Sequence, residues 1–421
     1  MSDPLPALRR RLGGVDATVI GLGSMIGAGL FAAFAPAAAV AGSGVLVALG
    51  IAAIIAYCNA TASAQLAAQF PASGGTYLYG RELLGEWPGF VAGWSFVIGK
   101  TASLAAIALV FGAHAAPDGW EKPAAVAAVI ALSAVNYRGV TRTAAVARII
   151  VLAVLLVIGI VLVAGATGGS HSAASELAIL GQSGWYGTLQ AAGLLFFAFA
   201  GYARIATLGE EVRNPARTIP RAILAALGIV LVLYALVGIT ELVVLGPDLL
   251  ARSTAPLADV VVASGWDWAG PIVRAGAALA ALGSLLALLT GVSRTGLAMA
   301  RFGDLPRWLS AVHPRFGVPH RAEIVVAGVV CVLVLTVDLR GVIGFSSFGV
   351  LVYYLIANVA AWTQSSLNRR YPRTLQAIGA AGCVVLVATL PLQAILAGIA
   401  IVAIGVAYRL IALRTTRARP R

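Results

Sequence analysis

The stretch Gly21-Leu22-Gly23-Ser24-Met25-Ile26-Gly27-Ala28-Gly29-Leu30-Phe31 lies in the first apolar run of the chain and places four glycines in nine positions. Each glycine weakens a helix by about 1 kcal/mol against alanine, so the pattern needs a reason. Small residues let helices pack closely in a bilayer. A phosphate loop also uses glycine, but here the lysine and the soluble strand–helix setting are missing. A third reading is a stretch unwound at mid-membrane, where irregular backbone is tolerated only if it lines a protein cavity. Its freed N–H groups, at the start of the second half-helix, suit a carboxylate, and its freed carbonyls suit an ammonium. A zwitterionic amino acid carries both.

The surroundings fit a membrane. Of 421 residues, 60% are hydrophobic and 11% are charged, against about 25% charged in an ordinary soluble domain. The apolar residues fall in runs such as 149–167, 222–246 and 324–337, and a bilayer core needs roughly 20 of them per spanning helix. An all-α membrane protein of twelve transmembrane helices is expected, with spans near 16–41, 45–68, 90–113, 124–136, 146–166, 189–208, 223–245, 272–299, 324–337, 342–362, 375–389 and 392–413. Only Pro391 separates the last two, but together they exceed one crossing.

Twelve spans put both termini on one side, and the charges agree. Of 29 Lys and Arg residues, only Lys122, Arg252, Arg274 and Arg340 fall in outside segments, and Lys100, Arg204 and Arg294 fall within spans. The rest, from Arg9, Arg10 and Arg11 to Arg421, lie in cytoplasmic segments, as the positive-inside rule requires. The net charge of +13 is therefore a topology signal, and no nucleic-acid partner is expected. Membrane lipid is the expected surrounding, and the inner membrane the expected location. Cys58, Cys331 and Cys383 sit in apolar segments and are odd in number, so no disulfide framework is expected. The basic segment MSDPLPALRRRLGG precedes an apolar run too long for a signal-peptide core, which reads as a retained first span.

The sixth span holds Phe196-Phe197-Ala198-Phe199-Ala200-Gly201-Tyr202-Ala203-Arg204. An aromatic cluster beside a lone glycine is commonly core packing. Spans one and six, however, begin the two halves of a five-plus-five arrangement, and interrupted helices in corresponding positions point to a transporter site.

Residues 21–31 resemble the first-span motif of the amino acid–polyamine–organocation superfamily. So does Phe70-Pro71-Ala72-Ser73-Gly74-Gly75-Thr76-Tyr77-Leu78-Tyr79, continuing to Trp94, and so does the stretch 210–221 after span six. A fourth match is Ala300-Arg301-Phe302-Gly303-Asp304-Leu305-Pro306, continuing to Phe316. Their order and spacing agree over nearly the whole chain. The resemblance implies a LeuT-type five-plus-five inverted repeat with helices 1 and 6 interrupted. It divides the chain into a cytoplasmic tail at 1–14, a transport core at 15–365, helices 11 and 12 at 366–413 and a basic tail at 414–421. It also implies a substrate site. The carboxylate would meet N–H groups of Gly27, Ala28 and Gly29. The amine would meet carbonyls near Met25 and Ile26, and at Phe197, Ala198 and Ala200 beside Gly201. Phe199 and Tyr202 would wall or gate the pocket. The stretch 210–221, with Glu210, Glu211 and Arg213, would tie the cytoplasmic end of span six to neighbouring loops, as a gate or as a charge-paired turn.

One position departs from the family. Proton-coupled relatives carry a lysine in span five where this chain has Val154. Lys100, in the middle of span three, is the alternative coupling group; otherwise it snorkels to an interface. Arg204 follows the span-six break and offsets helix-end carbonyls, pairs with Glu210 or Glu211, or meets substrate. Arg294 is expected to reach the cytoplasmic surface, Asp16 to anchor or cap span one, and Glu241 to be wetted near the outer end of span seven. His114, His171, His313 and His320 fall in expected loops, and no cluster has metal-ligand spacing. No enzyme, metal or cofactor role is expected. The expected function is secondary transport of an amino acid by proton-coupled symport or exchange. Sodium coupling, a channel and a non-transporting sensor are the alternatives. No acidic residue stands at mid-depth in spans three, six, eight or ten. This disfavours cationic substrates, leaving a neutral amino acid, with an acidic one as the alternative.

Overall fold

A computed structural model describes residues 12–71, 74–138, 144–168, 184–209 and 211–417. The expectations for Glu210, His171 and most of the two tails lie outside the described residues.

The helices, in order, are α1 (Gly14–Ala32), α2 (Phe34–Ala41), α3 (Val45–Gln69), α4 (Thr76–Leu84), α5 (Glu86–Ala115), α6 (Glu121–Tyr137), α7 (Ala144–Thr167) and α8 (Trp185–Phe199). They continue with α9 (Ala203–Ala206), α10 (Pro215–Arg252), α11 (Pro256–Ala263), α12 (Gly270–Arg301), α13 (His320–Thr336), α14 (Leu339–Thr363), α15 (Arg373–Thr389) and α16 (Leu392–Arg417). Every expected apolar run falls on these helices. Among the described residues nine helical stretches are long and apolar enough to cross a membrane. The helices α6, α13 and α15 have 17 residues each, about 25 Å at 1.5 Å per residue, which is short of a core of roughly 30 Å. The protein is a multi-pass membrane protein.

Span six breaks as expected. A short 3-10 turn at Ala200–Tyr202 separates α8 from α9. Span one does not break where its glycines suggested. The helix α1 runs unbroken through 21–31, and its end at Ala33 keeps a right-handed φ of −87° and ψ of −25°. The glycines serve close approach instead. A Cβ on Gly21 would strike Ile205, one on Gly27 would strike Ser284, and one on Gly29 would strike the backbone of Ala198. Gly201 answers from the other side, pressed on the Ser24 carbonyl and Met25. The glycine pattern is thus a seam between α1, α12 and the span-six helices.

The N-terminal end of this seam is fastened by short-range chemistry. Asp16 accepts from the Gly13 N–H at 3.0 Å and pairs with Arg148 of α7, so it caps and anchors α1 as expected. Leu12 bridges Val212, with Leu12 N–H donating to Glu211 O at 3.0 Å and Arg213 N–H donating to Leu12 O at 2.9 Å. Asn214, in the left-handed region at φ 48°, turns the chain into Pro215, the first residue of α10.

Two expectations are corrected by burial. Glu241 is fully buried, and neither carboxylate oxygen has a hydrogen-bond partner among the described residues. It lies in α10 shortly before Gly246, whose φ of 69° and ψ of 168° kink that helix where span seven was expected to end, so its position is as expected and its burial is not. His114 belongs to the last turn of α5, buried against Phe31 with ring centroids 6.0 Å apart, because that helix runs on to Ala115.

Candidate functional site

The break in span six exposes backbone carbonyls, and side chains from three other helices converge on them. Lys100 stands halfway along α5, is buried, and donates from Nζ to Ala200 O at 3.0 Å. It turns inward, so it does not snorkel. Tyr354 of α14 lies with its Oη 3.4 Å from the same carbonyl. Tyr234 of α10 reaches Met25 O at 2.7 Å and Ala198 O at 3.0 Å, spanning the seam between α1 and α8. Ser284 of α12 donates to Gly23 O at 2.7 Å.

These contacts surround a cavity of about 40 Å³. Among its lining residues are Met25, Gly29, Phe197, Ala198, Ala200 and Gly201, with Lys100 and Arg204 as the two cations and no carboxylate. A cavity needs about 10–15 Å³ per water, so this one holds a few waters and is too small for an amino acid until the helices part. A second cavity of about 150 Å³ lies between α1, α7 and α12 and is lined by Ile26 and Gly27, among others. Val154 lines it too, at the position where relatives carry lysine. Ser24 and Arg204 border both cavities and stand at their boundary.

Other expected site residues are placed elsewhere. Phe199 and Tyr202 line neither cavity. Phe199, the last residue of α8, packs on Tyr234, and Tyr202, the last of the 3-10 turn, packs on Tyr354, each at a centroid distance of 5.1 Å. Ala28 lies in the unbroken part of α1. The N–H groups of Gly27, Ala28 and Gly29 therefore remain in a helix instead of opening toward a carboxylate.

The charged residues also pair differently from expectation. Arg204 donates to Thr207 Oγ1 at 2.9 Å. Glu211 pairs with Arg294 at 2.9 Å, and the Arg294 side chain, 39% exposed, lines the larger cavity while still reaching solvent. Arg213 is exposed, and its carbonyl accepts from Thr218 Oγ1 at 2.8 Å.

Tyr234, Ser284, Ser103 and Thr207 were not singled out in the sequence. Ser103 lies one turn beyond Lys100 and meets Ser346 at 2.6 Å. A small hydroxyl one turn from an intramembrane lysine is a usable signal. A tyrosine in the apolar run of α10 carries none.

The helices, the paired cavities and the carbonyl cluster define a membrane transporter class of protein. The profile of the amino acid permease family matches residues 12–413, and the chain belongs to that family, within the amino acid–polyamine–organocation superfamily. An uncharacterized transporter of Mycobacterium tuberculosis is 59% identical over 98% of this chain and 93% of its own length. The branched-chain amino acid permease BcaP of Bacillus subtilis is 26% identical over 89% of this chain and 84% of its own. The chloroplastic cationic amino acid transporter 7 of Arabidopsis thaliana is 28% identical over 83% of this chain and 65% of its own.

Proposed function

We propose that this protein carries a neutral amino acid across the cytoplasmic membrane by proton-linked secondary transport. The observation that carries the proposal is the buried Lys100 ammonium on the Ala200 carbonyl at the span-six break, inside a cavity shared with α1. The substrate's carboxylate faces Arg204 at the boundary of the two cavities, and its amine faces the carbonyls of 197–200. Two cations and no carboxylate in the lining oppose a cationic side chain, whatever the names of some relatives. The same two cations favour an acidic amino acid as the second reading. The pair Glu211–Arg294, together with Arg204, forms the gate on the arginine-rich face. The fold reading that goes with this function is twelve spans in a LeuT-type inverted repeat, with both termini cytoplasmic.

Uptake of labelled amino acids into proteoliposomes tests it, with imposed pH and sodium gradients applied separately. Saturable flux of a neutral amino acid, responsive to the pH gradient alone, is expected. Flux driven only by sodium would remove the proton from the scheme, and non-saturating flux would indicate a channel. Topology has its own test. Reporter fusions after Arg221 and after Arg373 should both report the cytoplasm, and one at Arg252 the outside, as the arginine distribution requires. An outside signal after Arg221 would overturn the twelve-span order.

A further inference from the structure

We propose that Lys100 and the substrate's α-ammonium exclude one another at the Ala200 carbonyl, so that each amino acid bound expels one proton and the carrier exchanges amino acid against proton. This rests on the substrate site proposed above and adds the sense of the coupling.

The carbonyls offered to an amine are mostly taken. Tyr234 is shared between those of Met25 and Ala198, and Ser284 holds that of Gly23, two residues before Met25. Ala200 is held by Lys100 and, at longer range, by Tyr354. The tyrosine hydroxyls are fixed by buried rings. Lys100 ends a flexible four-carbon stem and can withdraw. Among these partners it is the one whose group matches the substrate's own ammonium, so the empty site is filled by an imitation of its ligand.

Nothing in the cavity lets two ammoniums coexist. Its lining holds no carboxylate, and Arg204 already adds a second positive charge. Around Lys100, α14 supplies Tyr353 and Tyr354, and span six supplies Tyr202 and Arg204. The charged side chains on the other helices packed against α5, among them Asp16, Arg81, Lys122, Arg294, Glu323 and Arg409, are all absent from the lining of this cavity. A substrate ammonium arriving at Ala200 therefore meets an uncompensated like charge, and burial in low dielectric magnifies that repulsion. Loss of a proton from Nζ to cavity water relieves it. The neutral amine that remains can accept a hydrogen bond from the substrate. When the substrate leaves, Nζ takes a proton from whichever side the cavity faces and caps Ala200 again. The empty carrier then returns with one proton in place of one zwitterion, moving one positive charge against the substrate.

The test is proton release on binding. Purified full-length protein in weakly buffered detergent is titrated with L-leucine, L-alanine, L-serine and L-glutamate. A pH indicator reads protons, and equilibrium dialysis reads binding. About one proton released per neutral amino acid bound is expected, with no release in Lys100→Met and with binding by that variant no longer weakened at low pH. Lys100→Arg, which keeps its charge, is expected to bind the same ligand at least tenfold more weakly. It stands as the second variant if the methionine form does not fold. Binding of a neutral amino acid without proton release, or with proton uptake, overturns the proposal while leaving the site intact. Binding of L-glutamate alone, without release, overturns it by making Lys100 a counter-ion. No saturable binding by any of the four overturns the site itself.

Discussion

Asp304→Asn is expected to cost about 3–5 kcal/mol of stability, the usual penalty for removing one partner from a buried ion pair. The Asp304 carboxylate accepts from Arg81 at 2.7 Å, from Arg409 at 2.5 Å and from Tyr77 Oη at 2.8 Å. Asp304 and Arg409 are 5% and 4% exposed, so water cannot replace the lost charge. Arg409 is further wedged between Trp87 and Phe90, its guanidinium carbon 4.9 and 4.8 Å from their ring centres. Burial and the neighbouring carboxylate hold the Tyr77 phenol well above its ordinary value, so it stays protonated and donating. The asparagine variant would leave two guanidiniums sharing Glu86 alone, which is 68% exposed and well solvated. Thermal unfolding in detergent checks this against Arg301→Gln, whose residue is exposed and belongs to the same motif. Equal melting of the two variants would show that the cluster contributes nothing to stability.

Gly29→Leu is expected to reduce transport to below a tenth of wild type with normal membrane insertion. The side chain would enter the backbone of Ala198, the residue whose carbonyl Tyr234 holds. Overpacking of this kind costs about 1–3 kcal/mol, which a large membrane protein survives. Its functional cost is larger, because α8 is forced away from α1 at the residues that line the smaller cavity. Gly27→Leu should behave alike through Ser284. Gly50→Leu is the control, since a Cβ there meets nothing within 4 Å. Wild-type uptake by Gly29→Leu would show that the seam need not close during the cycle.

The sequence made the helices legible because apolar runs and arginine breaks are long-range patterns that no single contact decides. Residues 196–204 also disclosed their break, and Lys100 stood out through the cost of burying a charge. The role of 21–31 was less accessible. Glycine spacing is the same for a helix that unwinds and for one that must let a neighbour close in. Only the positions of Ile205, Ser284 and Ala198 distinguish the two. The partner of Glu211 was equally hidden. Arg204 is near in sequence, but Arg294 of α12 reaches it first in space. Phe199 and Tyr202 looked like pocket walls because aromatic residues beside a break often are, yet each packs on a tyrosine of another helix, Tyr234 and Tyr354, which sequence spacing does not reveal.

Tyr234 has one hydroxyl hydrogen and two carbonyls within reach, Met25 O and Ala198 O. It can satisfy one of them fully at any moment. Moving the hydrogen from one to the other requires only rotation about the C–O bond, with no heavy atom displaced. The contact between spans one and six therefore has two hydrogen placements, one on each helix, and in each the other helix keeps one carbonyl without its full bond.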